Sequence, residues 1–424
     1  MRRDRHILFV EMGTGFGGST RCLLSLVEMC AANGWRSSVA VGYPIPALEQ
    51  GRAPCTTLRL YESRAWRTGQ RLRRLSARSD SRGGRARSLA GFAASALLAD
   101  LPLAALLAGY ARRRGVDLIH ANNELLVNRT AILAGCLGGL PVISHQRGWA
   151  WPSRASRWLA RRVRRVVAIS DFVRQSLIEA GVPVERIERV YDGVDCARFG
   201  GAQRLRDRAR GEFGFHRQDE VVGLPAVLLP WKGHEMFLEA FARLAAARPR
   251  LRALLVGASP STVGDFAPRL RARIAALGLH DRVRMVGHVE DMARAYAAMD
   301  IVVHASQRPE PFGLVVVEAL AAGRPVVAAG AGGPAEVIRH ERDGWLYRPG
   351  DAAALAAALA TLLDRPALRS ELAARAPDRA AGFDVGANWR GVSALYEGVI
   401  RRRRVAANEP PTPGTDRAGR SSPA

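Results

Sequence analysis

The run His6-Ile-Leu-Phe-Val-Glu-Met-Gly-Thr-Gly-Phe-Gly-Gly18, with the apolar-periodic stretch Cys22 to Ala32 behind it, reads as strand, glycine turn and helix in direct succession. His6 to Met12 is apolar almost without alternation, the pattern of a strand covered on both faces rather than one. The helix closes at Asn33-Gly34, a C-terminal stop signal. Working outward, the same rhythm returns with strands at Ser38 to Gly42, Val116 to Ala121, Pro141 to His145 and Val166 to Ile169, and a helix at Arg129 to Leu137. Strands alternating with helices predict an α/β fold with a parallel sheet. A second series starts near Glu220, with strands at Val221 to Leu229, Arg252 to Gly257, Val283 to Val286, Ile301 to His304 and Pro325 to Ala329. Helices at Glu235 to Ala247, Pro268 to Leu277, Met292 to Met299 and Gly313 to Ala322 fall between them. Two doubly wound units in series follow, and 424 residues suit two domains at about 150 residues each. We expect units at 1–200 and 201–384, a last helix over 385–407, and a disordered Pro-, Gly- and Ser-rich tail at 408–424.

Two stretches break the rhythm. Between Arg64 and Arg87, Arg, Ser and Gly dominate without a period of 3.6 or 2, which predicts a solvated basic loop. Leu89 to Tyr110 is strongly apolar and nears the ~20 residues of a membrane span, yet Asp100 and Pro102 sit at its centre. A helix pair, buried or lying on a membrane surface, is the expectation. Hydrophobic residues at 48% and charged residues at 24% exclude a disordered, collagen-like or coiled-coil chain. Five cysteines, an odd number without C-x-x-C spacing, indicate neither a disulfide framework nor a zinc site and fit a reducing compartment. The apolar run after Arg5 is too short for a secretion signal, so a cytoplasmic protein is expected.

The formal net charge is +24, and one of the 63 basic residues is lysine, Lys232. Such a skew reads as codon bias. Where arginine is written nearly everywhere, a surviving lysine marks a place where a compact point charge is hard to replace by a planar fork. Arginines cluster at Arg64 to Arg87, Arg112 to Arg114, Arg154 to Arg165 and Arg401 to Arg404. A basic face beside an apolar helix pair suits an anionic membrane surface. A nucleic-acid partner is not expected, for no aromatic platform interleaves with these charges.

The densest chemical signal is Glu310-Pro-Phe-Gly-Leu-Val-Val-Val-Glu318. Pro311 and Gly313 break structure just after a strand, so a helix should open at Phe312 or Gly313 with its first amides unpaired, an anion site suited to phosphate. Glu310 should lie in the loop above that site and Glu318 one to two turns down, facing the same crevice. Together with Trp231-Lys-Gly-His234, Val167-Ala-Ile-Ser-Asp-Phe-Val173, Tyr191-Asp-Gly-Val-Asp195, Gly287-His-Val289 and Gly330-Ala-Gly-Gly-Pro-Ala-Glu-Val337, the chain resembles glycosyltransferases of the group 1 type (family 4) over roughly residues 6–400. The resemblance implies a GT-B fold, two Rossmann-like domains facing across a cleft, with the C-terminal helix returning to the N-terminal domain. It implies hexosyl transfer from a nucleotide sugar, with retention, to a membrane-borne glycan or lipid-linked acceptor. That chemistry belongs to bacterial cell-surface polysaccharide or glycolipid assembly, on the inner face of the cytoplasmic membrane.

Carried over by position, Glu310 would hold donor-sugar hydroxyls, Glu318 the ribose, and the amides of Phe312, Gly313 and Leu314 the sugar and diphosphate. Lys232 would neutralise the leaving diphosphate. Gly17 and Gly18 would bring backbone amides to the donor phosphate, and Val289 joins the donor-binding set. His145, ending a strand at the carboxyl edge where ligands of open parallel sheets bind, would face the cleft and reach the donor sugar. His120 also ends a strand, and a structural role is expected for it. One departure stands out: where the family commonly has an arginine five residues before the lysine, this chain has Val227. No D-x-D pair is present to hold a catalytic cation, so neither metal nor cofactor is expected. A sugar-nucleotide epimerase of similar architecture and a non-catalytic nucleotide-sugar-binding relative are the alternatives.

Overall fold

The computed structural model of the chain describes residues 5–13, 17–77, 94–260 and 264–408. Seven short strands form the first sheet: β1 (His6–Glu11), β2 (Arg36–Val41), β3 (Thr56–Arg59), β4 (Leu118–Ala121), β5 (Val142–Gln146), β6 (Arg165–Ala168) and β7 (Ile187–Arg189). Its order is β3-β2-β1-β4-β5-β6-β7, parallel throughout. All six residues of β1 are buried, as an unbroken apolar run with helices on both faces requires. The second sheet takes β8 (Glu220–Pro225), β9 (Leu251–Val256), β10 (Val283–Met285), β11 (Ile301–His304), β12 (Val326–Ala329) and β13 (Trp345–Tyr347) in the order β10-β9-β8-β11-β12-β13, again parallel. Strand order reverses between β1 and β4 in one sheet and between β8 and β11 in the other. The crevices at the carboxyl ends of those two pairs are where such sheets bind ligands.

The final helix, Val385–Asn408, leaves the second unit and returns to the first. Trp389, Val392, Tyr396 and Ile400 recur at helical spacing and enter the same core cluster as Ile7, Phe9 and Leu26. Burying the two aromatics contributes on the order of 2–3 kcal/mol each. Tyr396 Oη lies 2.6 Å from His120 Nδ1 in the interior, the structural role expected of that histidine.

Two expectations need correction. Residues 64–77, read as part of a basic loop, form the helix Arg64–Ala77. Arginine is a good helix former, and Trp66 anchors the segment in the core beneath Gly42, where an added Cβ would lie 2.5 Å from the indole. Gly69 lets the helix approach the following segment, since a Cβ there would stand 2.7 Å from Ala99 Cβ. The rest of that stretch, 78–93, lies outside the described residues, as does the expected disordered tail beyond Asn408. Among the described residues, which begin at 94, the apolar stretch ending at Tyr110 is one continuous helical run, a wide turn at Ala96–Asp100 leading into the helix Leu101–Arg114, rather than a pair. Asp100 is buried and accepts hydrogen bonds from Arg129 Nε (2.6 Å) and Thr130 Oγ1 (2.9 Å). Its charge is answered inside the protein. The helix buries Leu103, Ala104, Leu107 and Ala111 and leaves Leu97, Leu98, Leu101 and Leu106 exposed. Among the described residues no helix is long and apolar enough to cross a membrane.

Candidate active site

The helix Leu314–Ala321 follows β11 and opens on Gly313, whose φ of +92° is left-handed and favours glycine. Having no side chain, Gly313 offers the first turn no cap. The loop before it is pressed against Gly332 and Gly333: Gly333 N donates to Glu310 O at 2.8 Å, and a Cβ on Gly333 would lie 2.3 Å from Phe312 O. Phe312 itself is buried, stacked on Tyr191 with centroids 5.8 Å apart. Its side chain therefore anchors the loop, and only its backbone can serve a ligand.

Lys232 sits on the single turn Pro230–Lys232 after β8. Gly233 follows at φ +76°, and a Cβ there would stand 1.9 Å from Ala305 O, so glycine lets this turn close onto the end of β11. Lys232 Nζ lies 2.5 Å from Glu310 Oε2, with both side chains 15% exposed, and 4.1 Å from the Trp231 ring centroid. Ser306 Oγ donates to the same carboxylate oxygen at 2.9 Å, and His304 Nε2 stands 3.5 Å away. Burial pushes the Glu310 pKa up, but the Lys232 ammonium and His304 outweigh it and hold the carboxyl well below the usual range. Glu310 is ionised at neutral pH. Across the crevice, Gly18 opens the helix Gly18–Ala32, and a Cβ on it would lie 2.9 Å from Leu314 Cδ1. Gly17 precedes it beside open space. The structure thus brings Lys232, Glu310, Phe312, Gly313, Leu314 and the glycine turn to one place.

Two residues depart from expectation. Glu318 faces the crevice but is buried, its carboxylate already held from both sides: Arg21 Nη1, from across the crevice, donates to Oε1 at 2.6 Å and Tyr296 Oη to Oε2 at 2.8 Å. As the fifth residue of its helix, it turns toward the helix Met292–Ala298 that carries Tyr296. His145 does not face the cleft. It is fully buried, its ring 5.3 Å from that of His120. The two-residue period of β5 puts it on the face of Ile143, in the core cluster that the C-terminal helix covers. Burial and the neighbouring Arg147 push its pKa well below the usual value, so it is neutral. Val289 follows β10, two strands from β8, half-buried against the core. Val227 is 45% exposed on the loop between β8 and Lys232.

Several polar residues here were not anticipated. Glu11, ending β1, accepts from Gly13 N (2.9 Å), Asn122 Nδ2 (2.5 Å) and Asn123 Nδ2, which fixes the start of the glycine turn. Arg147 donates to Asp192, to Asn122 O (3.1 Å) and to Asn122 Oδ1 (3.2 Å). The asparagine pair directly after a strand was the available signal. Contacts also cross between the units: Ser170 Oγ donates to Pro311 O at 2.6 Å, and Glu336 accepts from the amides of Asp171 and Phe172, both at 2.8 Å.

Residues 206–379 match the family model described as Glycosyl transferases group 1, and residues 16–198 the one described as Glycosyltransferase Family 4. A D-inositol 3-phosphate glycosyltransferase of Kineococcus radiotolerans is 34% identical over 322 residues, covering 71% of this chain and 70% of that protein. The chain belongs to the group 1 glycosyltransferases. The lipopolysaccharide core biosynthesis mannosyltransferase LpsB of Rhizobium meliloti is 28% identical, over 61% of this glycosyltransferase and 71% of LpsB. The glycosyltransferase spans about two thirds of the length of such curated relatives. The crystal structure of Anabaena Alr3699/HepE in complex with UDP matches it with a TM-score of 0.76 at 27% identity, covering 93% of this chain and all of that one. The same protein is known in complex with UDP-glucose. The two parallel-sheet units are the GT-B architecture.

Proposed function

We propose that this glycosyltransferase moves a hexosyl group from a nucleotide-sugar donor to a membrane-borne glycan or lipid-linked acceptor, with retention and without a metal ion, in bacterial cell-surface polysaccharide or glycolipid assembly. One observation carries the reading: the Lys232–Glu310 pair stands before an uncapped helix opening, opposite a glycine turn. In this reading the donor parts the pair. The ammonium moves onto the diphosphate, Glu310 takes hydroxyls of the sugar, and the amides of Phe312, Gly313 and Leu314 hold what lies between, so the leaving charge meets preset dipoles. The leaving phosphate accepts the proton of a hydroxyl attacking from the same face. Arg21 releases Glu318 to the ribose and supplies the second cation that Val227 does not. His145, buried and neutral, acts by positioning Arg147 rather than by touching the sugar. The HepE complexes support a nucleotide-sugar donor. The exposed Leu97, Leu98, Leu101 and Leu106, with Arg112 to Arg114 at the end of the same helix, support peripheral docking on the anionic inner face of the cytoplasmic membrane.

The test is incubation with radiolabelled UDP-, GDP- and ADP-sugars and bacterial membrane extract. Label entering the lipid phase is the expected outcome. A changed free nucleotide sugar would mean epimerisation, and binding without turnover a non-catalytic protein; either overturns the proposal. A rise in melting point with one of the donors identifies the nucleotide, because a ligand of the native state alone stabilises it.

A further inference from the structure

Beside the Lys232–Glu310 pair lies a cavity of about 500 Å³ whose wall from the second unit includes Trp231 and Pro311, the immediate neighbours of those two residues. The first unit closes it with Leu125, Leu126 and Val127 from the loop after β4 and with Trp149 and Trp151 from the loop after β5. Its character is unlike that of a carbohydrate subsite. Of the polar side chains that reach it, Gln146 already donates to Gly148 O at 3.0 Å, and Ser156 accepts from Ser153 Oγ at 2.8 Å. Glu124 and Arg308 remain: Glu124 lies against the backbone of the tryptophan loop, where a Cβ on Gly148 would come within 2.5 Å of Glu124 Oε1, and Arg308 joins the wall from the second unit. A sugar filling this space could reach Glu124, Arg308 and the buried, unpartnered Trp149 Nε1, but its other hydroxyls would lose hydration against apolar walls, which costs free energy for each group left unpaired. A hydrocarbon would gain from the leucine, valine, alanine and tryptophan walls that make up most of the lining.

The tryptophans extend that apolar surface outward. Trp151 is 68% exposed at the mouth, packed edge-on against Trp149 at 6.1 Å, and Val127 is also exposed. Two residues on from Val127, Arg129 bonds Asp100 at the end of the turn that bears the exposed Leu97 and Leu98. The Arg129–Asp100 ion pair thus ties the leucine-bearing turn to the loop that walls the cavity, and Trp231 and Pro311 place the cavity beside the reacting pair.

Resting on the function proposed above, we infer that this cavity is the acceptor pocket and that it takes hydrocarbon: the acceptor's attacking hydroxyl lies immediately next to its lipid. The transferase then works early in assembly, consuming the product of a reaction that loads a lipid carrier and preceding steps that extend a long glycan, because a distant chain end would bring only sugar to these walls. Glu124 meets the hydroxyl-bearing end of the acceptor.

Tryptophan fluorescence of the full chain, titrated with octyl glucoside below its micelle threshold and separately with maltoheptaose, tests this. Octyl glucoside is expected to give a saturable change and maltoheptaose none. Trp151→Ala and Val127→Asp should each weaken octyl glucoside binding at least tenfold while keeping the wild-type melting point and its rise with a nucleotide sugar. Saturable maltoheptaose binding of comparable strength, or wild-type octyl glucoside affinity in both variants, would overturn the pocket assignment. Failure of every nucleotide sugar to raise the wild-type melting point would instead sink the donor reading, so the two failures are told apart.

Discussion

The carboxyl edges of the two sheets carry similar residues and put them to opposite uses. At the first, Glu11, Asn122, Asn123, Arg147 and Asp192 are all buried and bonded to one another. At the second, Lys232 and Glu310 form an equally short pair but stay partly open to the crevice, and their turn ends on glycines rather than on side-chain caps. A charge cluster closed on itself is scaffold, whereas a pair that can be parted from one side is a binding device. Removing one member of a buried pair strands the other without water; removing one member of an open pair leaves its partner solvated.

That contrast can be broken experimentally. Arg147→Ala should cost the largest amount, about 3–5 kcal/mol of stability, lowering the melting point by on the order of 10 °C in a scanning calorimeter. A variant that melts like the wild type would show that the first edge is no scaffold. Next, Lys232→Ala and Glu310→Ala should each reduce turnover about 10²–10³-fold, the scale on which one charge-stabilising group contributes. Their melting points should move little, and a collapse together with activity would return both residues to the scaffold class. A third test concerns pH. Burial lowers the pKa of His120 to about 3 and of His234 to about 4, and burial with Arg147 likewise lowers that of His145 well below the usual value. The unfolded chain takes up protons on these rings near pH 6.5 while the folded chain does not. Stability should therefore be level above pH 7 and decline as pH falls from about 6.5 toward 4, seen as a falling melting point across buffers. A flat profile would mean the rings are solvated.

Much of the architecture was legible because buried parallel strands announce themselves: β1, β9 and β12 are largely apolar runs flanked by turn residues. The outer strands β3, β7 and β13 were missed, since edge positions need no continuous apolar run and Thr56–Arg59 or Ile187–Arg189 are half polar. The helix Arg64–Ala77 was missed because its arginines hid a single anchoring tryptophan. At the site, glycines were the reliable guide. Gly233, Gly313, Gly332 and Gly333 each stand where a left-handed backbone or a close approach excludes a side chain. Side-chain surroundings were not legible: His145 lies on the expected strand but is buried in the core, and Glu318 meets Arg21 and Tyr296 where an open carboxylate was expected.

The order of elements, the doubling of the unit and the solitary lysine can all be read from the linear chain, because they depend on periodicity, turn chemistry and residue type, which are local. Which groups meet was settled only by folding. That Arg21 reaches Glu318 across the crevice, that the C-terminal helix seals His120 and His145 away from solvent, and that two tryptophans from one unit wall a cavity with a third from the other all depend on contacts between residues far apart in the chain. No local preference encodes a distance between two such residues; the packing of two sheets and their covering helices sets it.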